Sequence, residues 1–100
     1  MDERNEKNIS DNKLLKILKA VANENRLAIL KCLYKNKELS VGDLAEMTSE
    51  PFKSVSKDLG ILRRAGLVQF RDWNLKNYYS INTAKFPKEL FHFLVEWWDE

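Results

Sequence analysis

Hydrophobic positions along the chain change their period twice, and each change marks a different kind of element. From residue 11 to about residue 34 they recur at intervals of three and four, the spacing of one helix face. Asp11 or Asn12 is placed to cap a first helix carrying Leu14, Leu15, Ile17, Leu18 and Val21. That set is broader than one narrow stripe and predicts burial on two sides. Asn23-Glu24-Asn25 interrupts the pattern, and a second helix is expected from Arg26 to about Tyr34, with Leu27, Ile29, Leu30 and Leu33 as core. Residues 1–10 are polar, offer nothing to offset the entropy of ordering them, and are expected to be disordered.

Lys35-Asn36-Lys37 is a polar loop, and Glu38-Leu39 suits a single bridge of strand before a closely spaced helix pair. The first of the pair starts with Ser40 and Asp43 in the spacing of a capping box and buries Val41, Leu44 and Ala45. Thr48-Ser49-Glu50-Pro51 makes the corner, its proline suiting the first turn of the next helix. On that next helix Phe52, Val55, Leu59 and Leu62 cluster at 100° per residue into a core-facing stripe. Lys53, Ser54, Lys57 and Arg64 lie on the other side, with Gly60 and Ile61 among them. Gly66 then supplies a left-handed stop.

From Leu67 the period falls to two. Leu67, Val68 and Phe70, then Tyr78, Tyr79 and Ile81, read as two strands, and the Asn- and Asp-containing run from Arg71 to Asn77 as the turn between them. The expected hairpin carries Arg71 and Lys76 at its tip. Pro87 opens a last helix whose Leu90, Phe91, Phe93, Leu94, Val95, Trp97 and Trp98 surround most of its circumference, more apolar surface than one face of a small domain covers. The pattern therefore predicts a mainly helical α+β domain over residues 11–100. Its first and last helices would pair with those of a second copy through Leu14, Leu15, Leu18, Leu90, Phe91, Leu94, Trp97 and Trp98.

One hundred residues at 44% hydrophobic content suit one domain with one core. No run reaches the length of a membrane span, the charged N-terminus does not read as a signal peptide, and the single cysteine, Cys32, cannot form an internal disulfide. A cytoplasmic protein is expected. The overall charge of +2 hides an asymmetry: residues 1–50 are neutral, residues 51–86 carry +5, and residues 87–100 carry −3. Cationic charge is thus concentrated on the second helix of the pair and on the hairpin after it, the distribution a phosphate backbone would select.

Candidate chemistry follows from that placement. Lys53, Ser54 and Lys57 are expected at or near base edges, Ser56, Arg63 and Arg64 at phosphates, and Arg71 and Lys76 at the backbone or minor groove. Cys32 shares helical spacing with Ile29 and Leu33 and reads as a half-buried structural thiol rather than a redox sensor. His92, between Glu89 and Glu96, is a lone histidine on a helix and reads as a surface or interface residue rather than a metal ligand. No nucleophile with its base, no carboxylate pair in a cleft pattern and no phosphate-cradling glycine loop is present, so neither an enzyme nor a cofactor is expected.

Residues 23–30 (NENRLAIL), Leu44-Ala45, residues 54–68 (SVSKDLGILRRAGLV) and Tyr78-Tyr79-Ser80-Ile81 together resemble the ArsR-type winged helix-turn-helix repressors, in gapless order from about residue 14 to 98. The resemblance implies a dimer that binds a palindromic operator on double-stranded DNA, with the second helix of the motif in the major groove and the hairpin as a wing. It does not carry over the family's metal response. Ser40 and Gly42 occupy the positions of the two metal-binding cysteines, and one histidine cannot supply the site on the terminal helix. Asp58 stands where the family commonly shows a histidine or another polar group, and the hairpin tip lacks the usual glycine. The expectation is a sequence-specific DNA-binding repressor. Its rivals are a winged-helix module for protein interaction through the aromatic last helix, and a repressor gated by a small molecule or oxidant.

Overall fold

A computed structural model describes residues 9–100, with side chains from residue 11 onward. The order is α1 (Ile9–Val21), α2 (Glu24–Asn36), β1 (Leu39–Ser40), α3 (Val41–Thr48), α4 (Phe52–Arg64), β2 (Val68–Trp73), β3 (Lys76–Ile81) and α5 (Lys88–Trp98). α1 starts at Ile9, so Asp11 lies in its first turn instead of capping it. Of the stretch expected to be disordered, residues 1–8 lie outside the described residues, and Ile9 and Ser10 are helical.

The bounds of α2, α3 and α4 have local causes. Asn23 caps α2, its Oδ1 accepting the Arg26 N–H at 3.0 Å, which starts the helix two residues earlier than its apolar pattern suggests. The capping box of α3 is complete: the Asp43 N–H donates to Ser40 Oγ and the Ser40 N–H to Asp43 Oδ2, both at 3.1 Å. Ser49 ends α3 in the left-handed conformation (φ 57°), Pro51 (φ −60°) leads into α4, and Gly66 (φ 81°) follows its end.

The sheet has three strands, not the two of a bare hairpin, in the order β1-β3-β2, all antiparallel. β1 adds itself to β3 by pairing Leu39 with Tyr79 and Ser40 with Tyr78. The hairpin is tighter than its sequence suggests. Pairing continues to Trp73↔Lys76, leaving a two-residue turn of Asn74 (φ 52°) and Leu75 (φ 67°). Arg71, opposite Tyr78, is therefore a mid-strand residue and not part of the tip.

One continuous core joins every helix. Ile29, Leu30 and Leu33 of α2, Leu44 of α3, and Val55, Leu59 and Leu62 of α4 are fully buried, with Leu67 and Val68 below the wing and Ile17, Ala20 and Val21 from α1 closing one side. Truncating Leu59 to alanine is expected to cost about 3 kcal/mol through lost burial and a residual cavity. Chemical denaturation at fixed protein concentration checks this. Phe52 departs from the expected stripe: it is 60% exposed, because it sits in the first turn of α4, beyond the edge of the core that Val55 and Leu59 enter.

α5 resolves its apolar circumference into two faces. Leu94 and Trp98 point inward and are only 9% exposed, Leu90 and Phe91 are half-buried, and Phe93 and Trp97 face outward. The inner face docks on α2 and on the segment before α5, with Tyr34 meeting Phe91 at 6.0 Å and Trp98 at 5.7 Å, and Phe86 meeting Phe91 at 5.3 Å between ring centroids. The Tyr34 hydroxyl also donates to Asp99 Oδ2 at 3.1 Å. Leu94 and Trp98 thus belong to the protomer's own core, contrary to their expected place at a dimer contact. Their four-residue spacing puts both on the stripe that packs inward.

Candidate nucleic-acid interface

α4 is amphipathic, and its outward side is cationic. Advancing 100° per residue, Lys53, Lys57, Gly60 and Arg64 fall within about 60° of one another, opposite Val55 and Leu62. Lys53, Lys57 and Arg64 are exposed. Ser54 and Ile61 lie on a flank and are half-buried, so Ser54 borders the stripe instead of standing in it. Gly60 has a local purpose. A Cβ at this position would come within 3.3 Å of Arg64 Nη1, so the missing side chain lets the guanidinium lie back along the helix.

The other flank of α4 faces the wing. Exposed Ser56 and Phe52 line a cleft of about 480 Å³ with Ser40, Val41 and Gly42 at the start of α3 and with Leu75, Lys76, Asn77 and Tyr79 of the wing. Arg63 stacks its guanidinium over the Phe70 ring at 5.2 Å, tying the end of α4 to β2. The structure therefore brings Lys53, Lys57 and Arg64 together on one stripe and Ser56 and Lys76 together across the cleft. Arg63 is set apart at the wing's base.

Arg71 is committed elsewhere. Its Nε donates to Glu38 Oε2 at 2.7 Å and its Nη2 to Glu38 Oε1 at 2.8 Å, a two-pronged pairing that binds β2 to the segment before β1. Those hydrogen bonds hold the Glu38 carboxyl below its ordinary pKa. With Arg71 paired in this way, Lys76 is the cation at the end of the wing.

Asp58 has a partner that explains an acid on a cationic helix. Arg26 Nη1 donates to its Oδ1 at 3.0 Å, while Arg26 Nε and Nη2 donate to the Ala20 and Lys19 carbonyls at 2.7 and 3.2 Å. One guanidinium thereby joins the end of α1, the start of α2 and the middle of α4. The two side chains are only 15% and 13% exposed. No local spacing announces this pair, whose members lie 32 residues apart.

Away from the cationic side, Leu14, Leu15 and Leu18 of α1 and Phe93 and Trp97 of α5 are exposed, the last two in edge contact at 6.4 Å. Phe93 had no place among the expected interface residues, although its four-residue spacing from Trp97 puts both on one face. Ser40 Oγ is occupied as a helix cap, and burial pushes the Cys32 thiol pKa up, which leaves little of the reactive thiolate at neutral pH. Among the described residues no group of three His, Cys, Asp or Glu side chains is placed to hold a metal ion, and no helix is long and apolar enough to cross a membrane.

Residues 21–80 match the HVO_A0114 family. The chain is 38% identical over 82 residues to the transcriptional activator HlyU of Vibrio cholerae serotype O1, covering 80% of this chain and 75% of that one. The crystal structure of the transcriptional repressor PagR of Bacillus anthracis superposes with a TM-score of 0.71 at 31% identity, over 86% of this chain and 97% of PagR. Mb0332 of Mycobacterium bovis, a homodimeric winged helix-turn-helix DNA-binding domain described as a possible ArsR-family regulator, gives 0.76 at 25% identity over 95% and 82% of the two chains. A wing set beside a cationic α4, within a fold and sequence shared with transcription regulators, places the chain in the HVO_A0114 family and among the ArsR-type winged helix-turn-helix regulators, as a member without the metal-binding cysteines.

Proposed function

We propose that residues 11–100 act as one domain of a cytoplasmic homodimeric repressor that binds a palindromic operator. The observation that carries this reading is the single exposed stripe of Lys53, Lys57 and Arg64 on α4, backed by a buried apolar face and bordered by a wing. Two copies of α4, related by a two-fold axis, would enter successive major grooves about 34 Å apart. Lys53 and Lys57, in the first half of the helix, are assigned to base edges. Arg64, at its end, and Ser56 and Lys76, across the cleft, are assigned to phosphates. Both HlyU, an activator, and PagR, a repressor, are relatives, so a promoter–reporter assay with and without the protein reads the sign of the effect. Signal falling on expression supports repression.

Binding to duplex DNA should weaken steeply with salt, by a log–log slope near −0.9 for each phosphate neutralised. A flat response would instead favour the protein-interaction reading. Lys57→Ala is expected to cost about 1–3 kcal/mol on the selected operator and little on random duplex. An equal loss on both would move Lys57 to the phosphate class.

A further inference from the structure

Leu75 is a residue that the fold itself does not explain. Its side chain is fully exposed, and its φ of 67° is a left-handed conformation that a bulky residue disfavours. A two-residue hairpin turn beginning with asparagine would ordinarily take glycine in second place. Leucine here adds strain and contributes no burial, which points to a partner outside the protomer. Beside it Trp73 is also mostly exposed, edge-on to Tyr78 at 6.1 Å. The end of the wing is thus apolar, with Lys76 beside it and the Arg71 guanidinium already bound to Glu38.

Position decides what that partner is. Leu75 lines a cleft with Phe52 and Ser56 of α4, on the flank next to the cationic stripe, so a duplex laid along that stripe would have the wing tip beside it. We propose that Leu75 is an apolar wedge for the minor groove, an inference that rests on the DNA-binding reading above. With α4 in the major groove, the sugar–phosphate strand between the two grooves runs through the cleft, between Ser56 and Lys76. Leu75 then reaches the adjoining minor groove, partly unstacks a base step and bends the duplex toward the major groove. A wedge of this kind is cheapest at flexible pyrimidine–purine steps, so the protein discriminates there without a hydrogen bond to any base.

The test uses the full chain and a duplex obtained by selection from random sequence, labelled at both ends so that energy transfer reports bending. The unmodified protein bends this duplex and prefers a pyrimidine–purine step under each wing, by about fivefold or more over a stiff step. Leu75→Gly, which relieves the backbone, and Leu75→Asn, which tolerates it, both lose the bend and the step preference. Both keep the parent's salt slope, because no phosphate contact is removed, and Leu75→Gly melts at or above the parent temperature. Lys76→Ala does the opposite, reducing the slope by about one phosphate and keeping the step preference.

Undiminished bending by both Leu75 variants overturns the wedge, as does a straight duplex under the unmodified protein. Loss of self-association in the variants overturns it too, and makes the tip a contact between copies. Failure of the unmodified protein to bind any duplex at low salt removes the DNA-binding reading and the wedge with it. That result is read before any variant is made, so the two failures are distinguishable.

Discussion

Asp58→Ala is expected to lower folding stability by about 3 kcal/mol, because it leaves the Arg26 guanidinium buried without its counter-charge. The figure sits at the low end for a broken buried pair because both side chains keep some access to water. Melting should fall by roughly 15 °C for a domain of this size. Asp58→Asn keeps an acceptor for Arg26 Nη1 and should cost about half as much. The double replacement Arg26→Met with Asp58→Leu removes both charges together and should cost less than Asp58→Ala, the remaining loss coming from the Ala20 and Lys19 carbonyls that Arg26 also serves. Thermal and denaturant unfolding of the three variants checks the series. A loss below about 1 kcal/mol for Asp58→Ala would mean that water already screens the pair.

Splitting the proposed dimer should cost more in function than any single contact to DNA. Leu18→Glu combined with Trp97→Glu places carboxylates on two exposed apolar helix faces, and sedimentation is expected to find monomers. A protein that grips both half-sites makes its second contact at high effective concentration, so affinity for a palindrome should drop by about 100-fold or more. Affinity for an isolated half-site should scarcely change. Leu94→Glu serves as the contrast: Leu94 belongs to the core, so that variant should unfold instead of yielding folded monomers. If the Leu18/Trp97 variant stays dimeric, these faces are not the contact.

The elements were legible in the sequence because their signals are local. Ser40 and Asp43 are three residues apart, Val55, Leu59 and Leu62 repeat on one helix face, and Gly66 marks a left-handed stop, so the helix pair and its boundaries follow within a residue or so. The cationic stripe was legible for the same reason. What the sequence hid depends on distance along the chain. Arg71 read as a free cation because Glu38 lies 33 residues away, and Asp58 read as an anomaly because Arg26 lies 32 away. The aromatic last helix misled differently. Composition alone cannot phase seven apolar residues in a short helix, and only the docking of Tyr34 against Phe91 and Trp98 separates the inner face from the outer.

Ser40 pairs with Tyr78 of β3 and, in the same residue, caps α3, while the Arg71–Glu38 pairing fastens the far side of the hairpin. The hairpin consequently cannot swing on its own hinge, and it travels with the helix pair as one stiff caliper. On the proposed docking, with α4 and the wing both laid on the duplex, such a caliper tolerates no added base pair between the two contacts. Insertions at the centre of the proposed palindrome are a separate matter, governed by the proposed junction between two copies.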